Sequence, residues 1–177
     1  MIASVLQRAE IQTAKRAVIL VAWVTAARVG DTLKLRKMDV SLTGRKMMVT
    51  WARGKTVEKR GAYTVHTMVP PEFLPLLRNV IDGTTNDSGL LFPTVTGPQI
   101  KIALRTADPA LEQRSIRRGA LQMLAGLGMP MSTLLLFSGH TSERMLLKYL
   151  GHGKLAKVQE NTMVEVAEMG FVMPAAQ

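Results

Sequence analysis

Between Arg16 and Arg28 the chain runs for eleven residues without a charge, AVILVAWVTAA. That is well short of the ~20 residues a helix needs to cross a bilayer, and too apolar on every side to lie on a protein surface. The run has to be a buried helix around which a core assembles. Polar Arg8, Glu10, Gln12, Lys15 and Arg16 precede it, so residues 4–27 read as one helix whose second half is buried. Gly30 and Asp31 then open a short second helix over 31–36, with an acid where the helix dipole favours one. Arg28, at the end of the buried run, is within reach of Asp31.

The remainder punctuates clearly. Residues 46–51 and 62–69 are rich in β-branched and aromatic side chains and flank a basic, glycine-containing segment, the pattern of an antiparallel hairpin. Pro70 and Pro71 end the hairpin and start a helix through about Ile81. Residues 82–89, DGTTNDSG, form a polar loop and are the segment expected to be most mobile. A helix follows over 98–106, and the last third is helical over 113–126, 130–137, 142–150 and 154–169. Pro130 suits a first helical turn. No repeat, low-complexity tract or linker interrupts the 177 residues, of which 47% are hydrophobic. The expected fold is therefore one mainly α domain with a small antiparallel sheet (α+β), its core spanning about 4–151.

Lys and Arg number 23 against 13 acids, a net charge of +10. Such an excess points to a polyanionic partner, because each neutralised phosphate releases condensed counterions. The absence of cysteine excludes disulfides, thiolate zinc sites and cysteine nucleophiles. It fits an intracellular setting (cytoplasm or nucleoid in a prokaryote, nucleus in a eukaryote), as does the lack of a secretory signal pattern. His66 and His152 have no metal-ligand spacing with His140, so no metal is expected. Gly54-Lys55-Thr56 ends like a phosphate-binding loop, but Val49 stands where the first glycine of that motif belongs, so no nucleotide cofactor is implied. The twelve methionines read as core filler.

Four segments carry potential chemistry: Ala27-Arg28-Val29-Gly30-Asp31, Arg53-Gly54-Lys55-Thr56, Arg114-Ser115-Ile116-Arg117-Arg118-Gly119, and Ser138-Gly139-His140 with Tyr149 nine residues later. Breaking a phosphodiester by nucleophilic attack places charge on two non-bridging oxygens, which guanidinium forks match with paired hydrogen bonds. It also needs an in-line nucleophile and a proton donor for the departing oxygen. Two arginines, a lysine, a histidine and a tyrosine supply these parts. Of the two tyrosines, Tyr63 falls in an alternating strand and reads as structural.

In that order and spacing the residues resemble the tyrosine recombinase (site-specific integrase) family over roughly residues 17–151. Arg28 matches the family's first arginine, Lys55 its hairpin lysine, Arg117 its second arginine and Tyr149 its nucleophile. His140, 23 residues beyond Arg117, matches the histidine of its Leu-Gly-His motif. The resemblance implies cleavage and rejoining of double-stranded DNA through a 3′-phosphotyrosine, with Lys55 protonating the 5′ oxygen and His140 donating to a phosphate oxygen. It implies no cofactor, and a dimer or tetramer assembled on DNA. Asp31 would orient a catalytic basic group, and Arg53, Lys59, Arg60 and Arg118 would contact DNA. Lys59 competes with Lys55 for the hairpin role. The helix over 154–169 would pack either in trans on a neighbouring protomer or within its own.

Two departures stand out. Arg114 occupies the place of the family's usual histidine; it can donate to a phosphate oxygen but cannot act as a base near neutral pH. Serine replaces leucine at 138. The family's N-terminal DNA-clamp domain is expected to be absent from these residues. The nearest alternatives are DNA relaxation of the type IB topoisomerase kind, and a basic DNA-binding module without catalysis.

Overall fold

The apolar run forms α2 (Thr13–Val24), preceded by a separate α1 (Ile2–Gln7). These are the first elements of a computed structural model that describes residues 2–87, 89–140 and 142–151, without the side chains of Thr56, Lys59 and Arg60. The helix expected over 154–169 lies outside the described residues. Residues 17–22 of α2 are wholly buried. Its Val18, Ile19, Leu20 and Val21 contribute on the order of 1.5–3 kcal/mol each by leaving water.

A single helix over 4–27 is not what forms. The chain turns at residues 8–12 because Ile11 is also buried, together with Val5 and Leu6. Breaking the helix lets all three reach the same core. Arg16 spans the break by donating from Nη1 to the Leu6 carbonyl at 3.3 Å.

The second helix is also shifted: α3 (Val29–Thr32) begins earlier and lasts one turn, which makes Arg28 its N-cap. A three-stranded antiparallel sheet follows in the order β1 (Val40–Thr43), β2 (Lys46–Trp51) and β3, with α4 (Lys55–Arg60) standing in the β2–β3 connection before β3 (Tyr63–Met68). The hairpin expected from the sequence is β2–β3, paired from Lys46↔Met68 to Trp51↔Tyr63. Strand β1 went unforeseen because Val-Ser-Leu-Thr is too short to show alternation. It is defined by pairing, Val40↔Val49 to Thr43↔Lys46, closed by the two-residue turn Gly44-Arg45. Met47, Val49, Trp51 and Val65 face the core, whereas Met48, His66 and Met68 face outward.

Four of the remaining helices lie close to their expected places: α5 (Leu74–Gly83), α6 (Gly97–Ala107), α7 (Gln113–Gly126) and α8 (Met131–Ser138). So does α9 (Glu143–Leu150), whose N-cap Ser142 accepts from Met145 N. The segment over 82–89 makes hydrogen bonds with residues 37 and 38. Lys37 Nζ donates to Thr84 O at 2.6 Å, Met38 N to Asp87 O at 2.9 Å and Lys37 N to Gly89 O at 3.2 Å.

The main core surrounds α2, and a second cluster joins Ala26, just after α2, to Ala120, Leu121, Ala125, Leu134, Leu146 and Leu150 from α7, α8 and α9. Trp23 and Phe137 pack against both clusters, so the two halves share one apolar interior. Among the described residues no helix is long and apolar enough to cross a membrane.

Candidate active site

The end of α2 sets the geometry. Ala27 N reaches back to Ala22 O and Ala26 N to Trp23 O, a helix stop that needs a left-handed residue; Ala26 supplies it with φ 49°. Alanine in that conformation costs on the order of 1 kcal/mol. The strain is held in place because the Ala26 methyl is buried and its carbonyl accepts a hydrogen bond from Arg117 Nη1 at 2.8 Å.

Arg117, on α7, is 3% exposed. Its Nη2 donates to Ser138 O at 2.8 Å and lies 3.2 Å from His140 Nε2, while its buried Nε has no hydrogen-bond partner among the described residues. Burial first, and then the neighbouring Arg28, lower its pKa to about 10, so it remains charged at neutral pH. Two backbone carbonyls from distant turns thus hold a buried guanidinium.

His140 follows the α8 stop. Gly139 takes the left-handed C-cap position (φ 68°), and the chain reverses so that His140 Nδ1 lies 2.7 Å from Ser138 Oγ. Serine in place of leucine therefore gives the imidazole a hydrogen-bonding partner. Burial, then Arg117 and Arg28, push the His140 pKa down to about 4, so the ring is neutral near pH 7. The half-buried Tyr149 of α9 sits against it: the ring centroids are 5.0 Å apart, and Arg117 Cζ is 5.7 Å from the Tyr149 ring.

These groups open onto a cleft of about 390 Å³ lined by Arg28, Asp31, Lys34, Lys55, Arg114, Arg117 and Tyr149, together with Val29, Gly30 and Gln113. Five cations face one carboxylate. Arg28 Nη1 lies 3.6 Å from Asp31 Oδ2. The Asp31 carboxylate also rests on Gly54 so closely that a Cβ there would overlap Oδ1, and Gly54 has φ 113°. Asp31 therefore links Arg28 to the residue before Lys55. Lys55, the first residue of α4, is exposed at the cleft edge.

The other sequence-selected residues divide. Arg114 is 73% exposed at the cleft and pairs through Nε with Glu112 Oε2 at 2.8 Å. Arg53 does not line the cleft. Its Nη1 makes a 2.6 Å ion pair with Asp39, which is 8% exposed and also accepts from Arg36 N, so Arg53 braces the hairpin base. Arg118 is exposed outside the cleft lining. The side chains of Lys59 and Arg60 lie outside the described ones. Lys34 and Gln113 line the cleft and were not selected from the sequence, where nothing distinguishes them from other surface polar residues. Tyr63, read as structural, contributes to the electrostatic environment of Arg117. No group of three or more His, Asp or Glu that could hold a metal is present among the described residues.

The architecture is the tyrosine recombinase catalytic-domain fold, shown by comparison with solved structures. XerH recombinase bound to a palindromic difH substrate superposes with a TM-score of 0.68 at 16% identity, over 94% of this chain and 51% of that one. XerA recombinase gives 0.68 at 17% identity, over 91% and 60%. The catalytic domain of bacteriophage HP1 integrase gives 0.60 at 15% identity, over 92% and 85%. The chain thus spans about half the length of the XerH structure. No protein-family model and no curated protein sequence matches it.

Proposed function

We propose that this domain cuts and rejoins double-stranded DNA through a transient covalent bond between Tyr149 and a 3′ phosphate. One observation carries the reading: Tyr149, Arg28, Arg117, Arg114 and Lys55 line a single cleft, with His140 packed against Tyr149 behind it.

Each group has a step. A scissile phosphate docks in this cleft on Arg28, Arg114 and Arg117. Neutral His140 is held by Ser138 and Arg117 so that its ring orients Tyr149 and the phosphate without adding charge. Tyr149 gives up its phenolic proton to solvent in the open cleft, its oxygen attacks phosphorus, and the bond to the 5′ oxygen breaks. Lys55 delivers a proton to that oxygen, leaving a 3′-phosphotyrosine and a 5′ hydroxyl. Reversal with a different 5′ hydroxyl rejoins the strand, and because the phosphotyrosine conserves the bond energy no nucleotide is consumed. Exchange between two DNA sites calls for two or four protomers assembled on DNA. Superposition on recombinases, some solved with DNA, supports a DNA partner, and the intact set Arg28, Lys55, Arg117, His140 and Tyr149 favours this reading over a plain binding module.

The test is a suicide substrate nicked next to the scissile phosphate, which traps the covalent adduct on a denaturing gel. Wild type should form it and Tyr149→Phe should not. No adduct in either protein would falsify the catalytic reading. Incubation with supercoiled plasmid beside a paired-site substrate separates relaxation from strand exchange.

A further inference from the structure

A polar contact outside the cleft bears directly on Tyr149. Gln122 lies on α7, five residues after Arg117, and its Nε2 donates to Tyr149 O at 3.1 Å and to Leu150 O at 3.3 Å. The last carbonyls of a helix have no N–H partner within it, and α9 stops at Gly151, whose φ of 71° turns the chain away. One side-chain amide therefore serves two carbonyls that have no N–H partner within α9, one of them belonging to Tyr149 itself.

Beside this bond, α7 and α9 meet through the Arg117 guanidinium over the Tyr149 ring and through apolar packing. Leu121, Ala125, Leu146 and Leu150 share one buried cluster. Such packing sets the distance between two helices but resists sliding and rotation less than a directional bond does. Arg117 and Gln122 stand on the same rigid helix, so a bond from Gln122 to the Tyr149 backbone fixes where the phenol sits relative to the guanidinium. From this we infer that Gln122 is a positioning residue for Tyr149, holding α9 in the register on α7 that presents the phenolic oxygen to a phosphate on Arg117. The inference rests on the nucleophile role given to Tyr149 above. Near-attack geometry is sensitive enough that a displacement of about 1 Å costs ~10²-fold in rate.

Four full-length proteins test it: wild type, Gln122→Leu, Gln122→Glu and Gln122→Lys. Leucine and a carboxylate cannot donate to a carbonyl, whereas lysine can. With the nicked substrate, single-turnover adduct formation should fall roughly 10- to 100-fold in Gln122→Leu and Gln122→Glu, while the DNA dissociation constant stays within about 3-fold. Gln122→Lys should recover the rate to within about 3-fold of wild type. A residue that only stabilised the fold would not divide rate from binding, nor be rescued by a donor of different shape. Hydrogen exchange of the α9 amides, measured without DNA, should quicken in the leucine and glutamate variants and return with lysine. That arm decides the inference even if wild type forms no adduct, an outcome that counts against the catalytic reading instead. Cleavage by Gln122→Leu within 2-fold of wild type, a lysine variant as slow as the leucine one, or unchanged α9 exchange would each overturn the proposal.

Discussion

Acid should destabilise this fold through His140 in particular, and the size of the effect can be worked out. The imidazole is 8% exposed. Burial, Arg117 and Arg28 bring its pKa down from an ordinary 6.5 to about 4. Between those values the unfolded chain binds a proton that the folded one refuses. Stability is thus full above about pH 6.5 and is lost as pH falls toward 4. At 1.36 kcal/mol per pKa unit, lowering the pH from 7.5 to 4.5 should remove roughly 2 to 3 kcal/mol through this one group. With a urea m-value of ~2 kcal/mol/M, that is a midpoint shift of about 1 M. Carboxylates titrate in the same range, so the measurement is a difference. Urea unfolding is followed at pH 7.5 and 4.5 for wild type and for His140→Asn, which keeps a polar group near Ser138 but cannot take up the proton. Wild type should lose roughly 2 to 3 kcal/mol more than the variant. Equal losses in the two proteins would show that His140 titrates normally in the folded state and would refute its burial against Arg117.

Further outcomes follow from the site and its surroundings. Gly54→Ala forces a Cβ onto Asp31 at a φ of 113°, and should cost about 1–3 kcal/mol, read as a fall of several degrees in Tm. Arg53→Ala leaves the nearly buried Asp39 carboxylate with only the Arg36 amide among its described partners. It should cost about 2–3 kcal/mol in urea unfolding, whereas removal of Arg118 should leave stability within about 0.5 kcal/mol. Arg117→Lys cannot serve the Ala26 and Ser138 carbonyls and a phosphate together, and should slow adduct formation by ~10²–10³-fold. Exposed, Glu112-paired Arg114 should matter about 10-fold or less when changed to alanine, so equal effects at the two positions would contradict the difference in their burial.

Much of this molecule was written in local sequence. The uncharged run 17–27 dictated a buried helix, and the limits of α7 matched the pattern over 113–126 residue for residue. Alternation marked β2 and β3, and composition marked a strongly basic chain. The order Arg28, Lys55, Arg117, His140, Tyr149 singled out five residues that the fold gathers in and beside one cleft. Those are the properties a chain expresses through periodicity, capping and spacing, which act over a few neighbouring residues.

What the sequence could not express were contacts closed through space. Strand β1 exists because β2 pairs with it, and the break at residues 8–12 because Ile11 reaches a core built elsewhere. Arg53, read from the sequence as a DNA contact, is also met by Asp39 at the hairpin base. Arg117 is buried because Ala26, 91 residues earlier, and Ser138, 21 later, turn their carbonyls toward it. A buried guanidinium is tolerable only where such acceptors converge, and convergence belongs to the tertiary structure alone.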